Sequence, residues 1–495
     1  MNILHADEMN KLDEYAIGHI GIMQCVLMER AALGVSDCIL KQFEKPSVLV
    51  LSGPGNCGGD GLALARILLD RGLNVRVYLP VALEKCKESV QNEAKLFESF
   101  GGEILSVLPD EGAEVIVDAV FGVGLNRPVT GAFLDAIKWM NNQKEKSQAY
   151  IFSVDIPSGI HTDTGAVMGD AVKADYTVTF SCLKPGLLLY PGREYAGEIS
   201  VSSIGIDSLT DTIIEPTCYT FSREEARLSK RSPYGNKGSF HRILIIAGSR
   251  DMCGAAVLAS TAAFRSGAGL VEVYTHENNR DVLLSALPEA IVHTYPDFVE
   301  TEELKSALAR ADSVLIGPGL SAGDAAKKIM DIVLEGYNGP LVLDADAINI
   351  LSADGELKGK FLGFAKNHPV VLTPHPMELS RFTGLPREDL LANYEKSVRE
   401  CAKENNCVIV GKGATTLVSD GERVYYNLSG NDGMATGGSG DVLAGMIATF
   451  IVNENDFFTG ITLAVFRHGL AGESASELWG RRSALAAVLL KGILE

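Results

Sequence analysis

A chain of 495 residues is too long for one ordinary core, so two or three domains are expected. Its 46% hydrophobic and 22% charged residues are the composition of a soluble globular protein. The net charge of −19 argues against nucleic acid, whose phosphates call for a basic surface.

The N-terminus, MNILHADEMNKLDEYA, is polar and acidic, so no signal peptide is read there. Helix is predicted over the first forty residues, with Met28-Glu29-Arg30-Ala31-Ala32-Leu33 closing an apolar stripe that reads as packing. From 48 to about 204, β-rich runs alternate with amphipathic stretches. The runs are SVLVLSG, NVRVYLP, EVIVDAV, AYIFSVDIPSG and ADYTVTF; helices are predicted over 62–71 and 84–100. That alternation predicts an α/β domain, a parallel sheet with helices on both faces.

Over 210–238 the pattern lapses into a polar, charged stretch with Pro and Gly, and the domain boundary is placed near Ser222, giving domains 1–221 and 222–495. The alternation then restarts with RILIIAGS, LVEVYTH, SVLIGPG, PLVLDADAI, PVVLTPH, CVIVGKG, ATTLVSD and RVYYNLS. Helices over 441–452 and 457–478 close the chain. The longest apolar windows, such as 442–452, are too short and too broken by Gly and Thr for a membrane span. Nine scattered cysteines without a C-x-x-C pair read as a reducing cytoplasm and no zinc site.

Two glycine-rich loops stand out, GPGNCGGDG at 53–61 and GMATGGSGD at 433–441. Each is predicted to open a helix, where free amides hold an anion. Gly53, Gly55 and Gly58 match G-x-G-x-x-G, which by itself suggests a dinucleotide-dependent dehydrogenase. The ribose-binding acid expected after the second strand is missing, because that strand ends Tyr78-Leu79-Pro80-Val81. Three further strand ends carry polar residues: VDAVFGVGLNRP (117–128), VDIPSG (154–159) and SCLKPG (181–186). An Asp closing a strand can cap the next helix, but strand ends in an open parallel sheet also converge at the ligand crevice.

GPGNCGGDG, VDAVFGVGLNRP and VDIPSG, with LMERA, resemble the NAD(P)H-hydrate epimerase domain over roughly 1–215. The resemblance implies a Rossmann-like three-layer αβα fold and interconversion of two epimers at the hydrated carbon of a damaged nicotinamide ring. It assigns Asn56, Cys57, Gly58, Gly59 and Asp60 to the hydrated dinucleotide, together with Gly122, Val123, Gly124, Leu125, Asn126, Arg127 and Pro128. Asp155 is assigned as acid/base, a task that burial would aid by raising its pKa. Asp118 and Ser158 are assigned to a potassium ion with an asparagine of the first loop, Asn56. The family reads Asn-Asn-Gly-Gly-Asp there, and Cys57 replaces the second Asn; a thiol is a poor potassium ligand. Loss of epimerase chemistry through Cys57, leaving a binding or regulatory module, is the alternative for this half.

In the second half, Asp441 at a helix start is either a cap or a base taking a proton from a hydroxyl attacked by phosphate. No Walker loop is present. IIAGS, SGAGLVEVYTH, LPEA, GPGL, LDADAIN, LTPHPMEL, GKGATT and GMATGGSGDVLAG resemble the ribokinase-like superfamily, and more narrowly ADP-dependent NAD(P)H-hydrate dehydratase, over 237–490. This implies a ribokinase-like α/β domain that phosphorylates the hydrate hydroxyl with ADP and then eliminates phosphate. Asp441 is assigned as base. Lys412, Gly413, Ala414, Thr415 and Thr416 are assigned to the nucleotide, with Asn431, Asp432, Gly433, Met434, Ala435, Thr436, Gly437, Gly438, Ser439 and Gly440. Ala255, Gly319 and His375 are assigned to the hydrated dinucleotide, and Mg2+ to the ADP phosphates. Together the halves imply epimerisation and dehydration in one cytoplasmic homo-oligomer, with NADHX or NADPHX and ADP as substrates. A small-molecule kinase using the same Asp441 is the enzyme alternative.

Overall fold

The computed structural model describes residues 1–296, 299 and 301–493; the final two residues of the expected second domain, 494 and 495, lie outside them. The chain divides into two compact units, Met1–Cys218 and one beginning at Tyr219.

The first unit holds a seven-stranded sheet: β1 (Val48–Ser52), β2 (Val75–Tyr78), β3 (Glu103–Leu105), β4 (Val115–Ala119), β5 (Tyr150–Val154), β6 (Tyr176–Phe180) and β7 (Glu198–Ser202). Its order is β3-β2-β1-β4-β5-β6-β7, and every pairing is parallel. The short β3 and β7 were not expected. At the sheet edges their burial is partial, and GEIL and EISVS carry too little apolar signal to stand out. Alternate residues of β1 face opposite ways. Val48 and Val50 pack in one core with the helices Gln24–Gln42 and Asn56–Asp70, whereas Leu49 and Leu51 pack in another with the helix Ala132–Ser147. Helices on both faces make three αβα layers. The order reverses at β1 and β4, which puts their C-terminal ends at the ligand crevice of a doubly wound sheet.

The second unit is built on β8 (Arg242–Ile246), β9 (Leu270–His276), β10 (Ile291–Tyr295), β11 (Ser313–Ile316), β12 (Leu341–Leu343), β13 (Val370–Leu372), β14 (Val408–Gly411), β15 (Thr416–Ser419) and β16 (Val424–Asn427). They run in the order β16-β15-β14-β13-β12-β11-β8-β9-β10. Pairings from β10 to β14 are parallel, and β15 and β16 are antiparallel additions. Ile243, Ile245, Val271, Val273, Leu315 and Val342 share a core with the helices Cys253–Arg265, Ser439–Asn453 and Phe457–Trp479. The β10 strand was missed because IVHTY is half-buried and polar in its centre.

That polar centre belongs to a charge cluster. The buried Glu272 on β9 accepts from Arg242 at 2.5 Å, His293 Nε2 at 2.8 Å and Arg310 at 3.0 Å. Burial raises the Glu272 pKa, but these partners outweigh it and hold the carboxyl at about 2. Glu272 therefore stabilises the fold above its ordinary 4.5, and that share is lost as pH falls towards 2. His293 has a raised pKa, chiefly through Glu272, and its share is lost as pH rises instead. Glu272→Gln, which leaves two guanidinium groups without their carboxylate, is expected to cost about 3 kcal/mol at pH 7. Urea unfolding should show that loss, and the gap from wild type should narrow at pH 3.

Candidate active sites

A cavity of about 810 Å³ opens at the C-terminal ends of the strands of the first unit. Asn56, Cys57 and Asp60 line it, as do Gly122, Val123, Gly124, Leu125, Asn126, Arg127 and Asp155. Gly58, Gly59 and Pro128, also expected to touch substrate, are not among its lining residues. A Cβ on Gly58 would lie 1.8 Å from the Gly53 carbonyl oxygen, and one on Gly59 would lie 2.5 Å from Met28 Cε. Both glycines allow the helix Asn56–Asp70 to close on its neighbours, and Pro128 lies exposed outside the cavity.

Asp155 follows β5 at φ 68°, a conformation rarely adopted by residues other than glycine. The turn is fixed by its side chain: Oδ1 accepts from Lys184 Nζ at 2.6 Å, Thr179 Oγ1 at 3.0 Å and the Phe180 amide at 3.3 Å. Lys184 is fully buried and also donates to Thr179 Oγ1 and to the Phe180 carbonyl, both at 2.9 Å. The second carboxylate oxygen faces the cavity. A Cβ on Gly122 would lie 4.0 Å from Asp155 Oδ2 and 3.8 Å from Cys57 Sγ, so loop, thiol and carboxylate converge there. A capping role for Asp155 is ruled out, since no helix follows it. Asp13, from the N-terminal helix, also lines the cavity; burial and Asp155 push its pKa to about 6.

The four assigned potassium ligands are not all joined to one another. Asp118 and Ser158 are: Asp118 Oδ1 accepts from Ser158 Oγ at 2.5 Å, and Oδ2 accepts from the Ser158 amide and Ser153 Oγ, each at 2.8 Å. Asn56 Oδ1 instead accepts from Lys87 Nζ at 3.2 Å. Cys57 Sγ donates to the Val154 carbonyl at 3.7 Å, and burial first, then Asp60 and the other carboxylates, pushes the thiol well above its ordinary range. It stands in the cavity wall as a thiol bonded to the backbone.

In the second unit, the helix Ser439–Asn453 starts after Gly438, at φ 90°, and no side chain caps it. Asp441 is the third residue of that helix, so it is not the cap. A Cβ on Gly440 would lie 3.4 Å from Lys412 Nζ, and one on Gly438 would meet Leu258 Cδ1 at 2.5 Å. Glycine at both positions keeps the amides of the helix start open. Lys412 Nζ lies 2.8 Å from Asp344 Oδ1 and 3.9 Å from Glu378 Oε2. Burial pulls the Lys412 pKa down, but these carboxylates carry it above its ordinary value. Thr373 Oγ1 donates to Asp344 at 2.6 Å. Burial, helped by Asp344 and Asp346 and opposed by Lys412, raises Asp441 to about 6.

The other assigned residues divide by role. A Cβ on Gly319 would lie 3.0 Å from that of Ala255, so these two are neighbours. His375 starts the helix Pro376–Thr383: Nδ1 accepts from the Met377 and Glu378 amides, and Nε2 lies 3.3 Å from Glu378 Oε1. Both ring nitrogens have local partners. Thr416 Oγ1 closes the Lys412–Thr416 loop onto the Gly413 carbonyl at 3.2 Å, while Ala414 is exposed and Thr415 buried. Asn431 Oδ1 accepts from the Gly433 amide at 2.9 Å and Ser476 Oγ at 2.8 Å; Asp432 pairs with Arg481 at 2.9 Å. Met434 packs on Gly472, Ala435 and Gly437 are exposed, and the Thr436 amide donates to the Met434 carbonyl at 2.8 Å. Ser439 Oγ lies 3.4 Å from Nε2 of the buried His468.

Lys184, Thr179, Asp13, Asp344 and Glu378 were given no role from sequence. Lys184, Asp344 and Glu378 lie inside strand-end motifs and could have been found there as charges beside an apolar strand. Asp13 sits in an ordinary amphipathic helix and gave no signal.

A family described as NAD(P)H-hydrate dehydratase matches residues 243–494, and one described as YjeF-related protein N-terminus matches 24–186. The bifunctional NAD(P)H-hydrate repair enzyme of Thermofilum pendens is 34% identical over 99% of this chain and 95% of its own length. That of Escherichia coli K12 is 32% identical over 98% and 92%. A ribokinase-like superfamily protein from Enterococcus faecalis V583 superposes with a TM-score of 0.50 at 32% identity, covering 56% of this chain and 94% of its own. The chain belongs to the family of bifunctional NAD(P)H-hydrate repair enzymes.

Proposed function

We propose that this chain repairs hydrated nicotinamide dinucleotides at two sites. The first unit interconverts the R and S epimers of NADHX and NADPHX. The second dehydrates the S epimer to NADH or NADPH, converting ADP to AMP and phosphate. The observation that carries this is the Asp441 cluster: a half-buried carboxyl at about pKa 6, an uncapped helix start and Lys412 beside it.

Hydroxide is a poor leaving group. Asp441 takes the proton of the hydrate hydroxyl as its oxygen attacks the terminal phosphoryl group of ADP. The amides of Gly437, Gly438, Ser439 and Gly440, with Lys412, stabilise the charge on the moving group. Phosphate then leaves, pushed by the ring nitrogen lone pair. Magnesium, when bound, neutralises the ADP phosphate oxygens; the chain contributes Lys412 there. Because Asp441 must be ionised to act, kcat/KM for dehydration is expected to fall about tenfold per pH unit below about 6. A pH–rate profile with S-NADHX and ADP checks this; a flat profile to pH 4.5 contradicts it.

In the first unit, Asp155 Oδ2 is the oxygen available for proton transfer. Asp118 and Ser158 fit a potassium ion, for the buried carboxylate receives only hydroxyl and amide donors and burial raises its pKa. The ion would supply the missing positive charge. All nine cysteines are free, and no helix among the described residues is long and apolar enough to cross a membrane. Incubation with S-NADHX and ADP tests the reading: NADH and AMP should appear together. Stable transfer of phosphate to another alcohol, without NADH, would favour a kinase.

A further inference from the structure

Asp155 has one oxygen to spare, and it is already half of an ion pair with the buried Lys184. A carboxylate in an ion pair has an acceptor oxygen to offer and no proton of its own to give. Epimerisation, on the reading above, needs both acts at one carbon, because the hydroxyl must be protonated to leave and a water must be deprotonated to return. The cavity holds a second carboxyl of opposite character. Asp60, on the helix Asn56–Asp70, lines the same cavity, and its carboxyl has no hydrogen-bond or ion-pair partner among the described residues. The charged groups acting on it are Asp155, Asp13 and Glu93, all acidic, and with burial they raise its pKa well above the usual carboxylate range. In one cavity, a carboxyl with only acids acting on it and a carboxylate held by a cation offer a donor and an acceptor.

We propose that Asp60 is the general acid of the epimerisation, protonating the hydroxyl oxygen on the hydrated carbon, while Asp155 Oδ2 accepts the proton of the water that returns to the opposite face. The C–O bond breaks with its electron pair on oxygen, which takes the Asp60 proton and leaves as water. The ring nitrogen lone pair forms a C=N bond in its place. Water then adds to that carbon, the electron pair returns to nitrogen, and Asp155 takes the surplus proton. Solvent carries that proton back to Asp60, so the net change is inversion alone.

The test uses the full-length enzyme and R-NADHX carrying ¹⁸O at the hydroxyl. Wild type should lose the label to solvent as fast as it epimerises; epimerisation with the label retained overturns the proposal. Asp60→Asn should lower kcat for R-to-S conversion about 10²–10³-fold with KM within about threefold. Thermal unfolding of the same variant, compared with wild type, reports that the first unit is folded. If Asp60→Asn fails that check, Asp60→Ser replaces it. An Asp60 variant that epimerises within threefold of wild type, or one whose only defect is a raised KM, overturns the proposal. Wild type that does not interconvert the epimers at all overturns the epimerase reading itself, before any variant is made.

Discussion

Asp441→Asn is expected to lower kcat for ADP-dependent dehydration about 10³-fold, roughly 4 kcal/mol of barrier, with ADP affinity nearly unchanged. The substitution keeps the size of the side chain and its place at the helix start, and removes only the base. No side chain caps that helix, and Asp441 makes no capping bond, so stability should change little. Removing a group close to Asp344 and Asp346 should, if anything, ease their repulsion. R-to-S conversion by the same protein should match wild type. A variant that retained a tenth of the dehydration rate would show that Asp441 is not the base.

Lys184→Met carries the second large effect, on the other half. Lys184 is fully buried and spends all its donors on Asp155, Thr179 and the Phe180 carbonyl. Removing it leaves a carboxylate in a φ 68° turn without its cation, at an expected cost of about 3 kcal/mol, read as a lower melting temperature. Epimerase kcat is expected to fall about 10²-fold with KM little changed, since Asp155 loses both its orientation and its charge partner. The double variant Lys184→Met, Asp155→Asn separates these effects. It should regain most of the stability and none of the activity. Normal epimerisation by Lys184→Met would show that Lys184 merely fills the core, and activity in the double variant would show that Asp155 is not the base.

The strands on which both sites are built could be read from sequence because buried parallel strands are continuous apolar runs, as in VLVLS, VIVDA and RILII. Edge strands such as EISVS and IVHTY escaped because they trade apolar burial for exposure or for partners like Glu272. The loop glycines announced a close backbone approach, yet not what approached. Gly58 meets the Gly53 carbonyl and Gly59 meets Met28, so both serve packing where a ligand contact was expected. Lys184 illustrates the harder case. Its role depends on a left-handed turn at Asp155, 29 residues earlier, and no spacing rule connects the two. Cys57, which cast doubt on the first site, keeps its place in the cavity wall as a thiol donating to the Val154 carbonyl.

On the function proposed above, one chain turns both epimers of a hydrated dinucleotide back into the reduced cofactor. An equal mixture of R- and S-NADHX, incubated with the full-length protein, excess ADP, Mg2+ and K+, tests it most directly. Complete recovery of the NADH absorbance is expected, with one AMP and one phosphate formed per NADH, and recovery of only the S half by an Asp155→Asn variant within the time that wild type needs to finish. Wild-type recovery that halts at half, or NADH that forms without AMP, would contradict it.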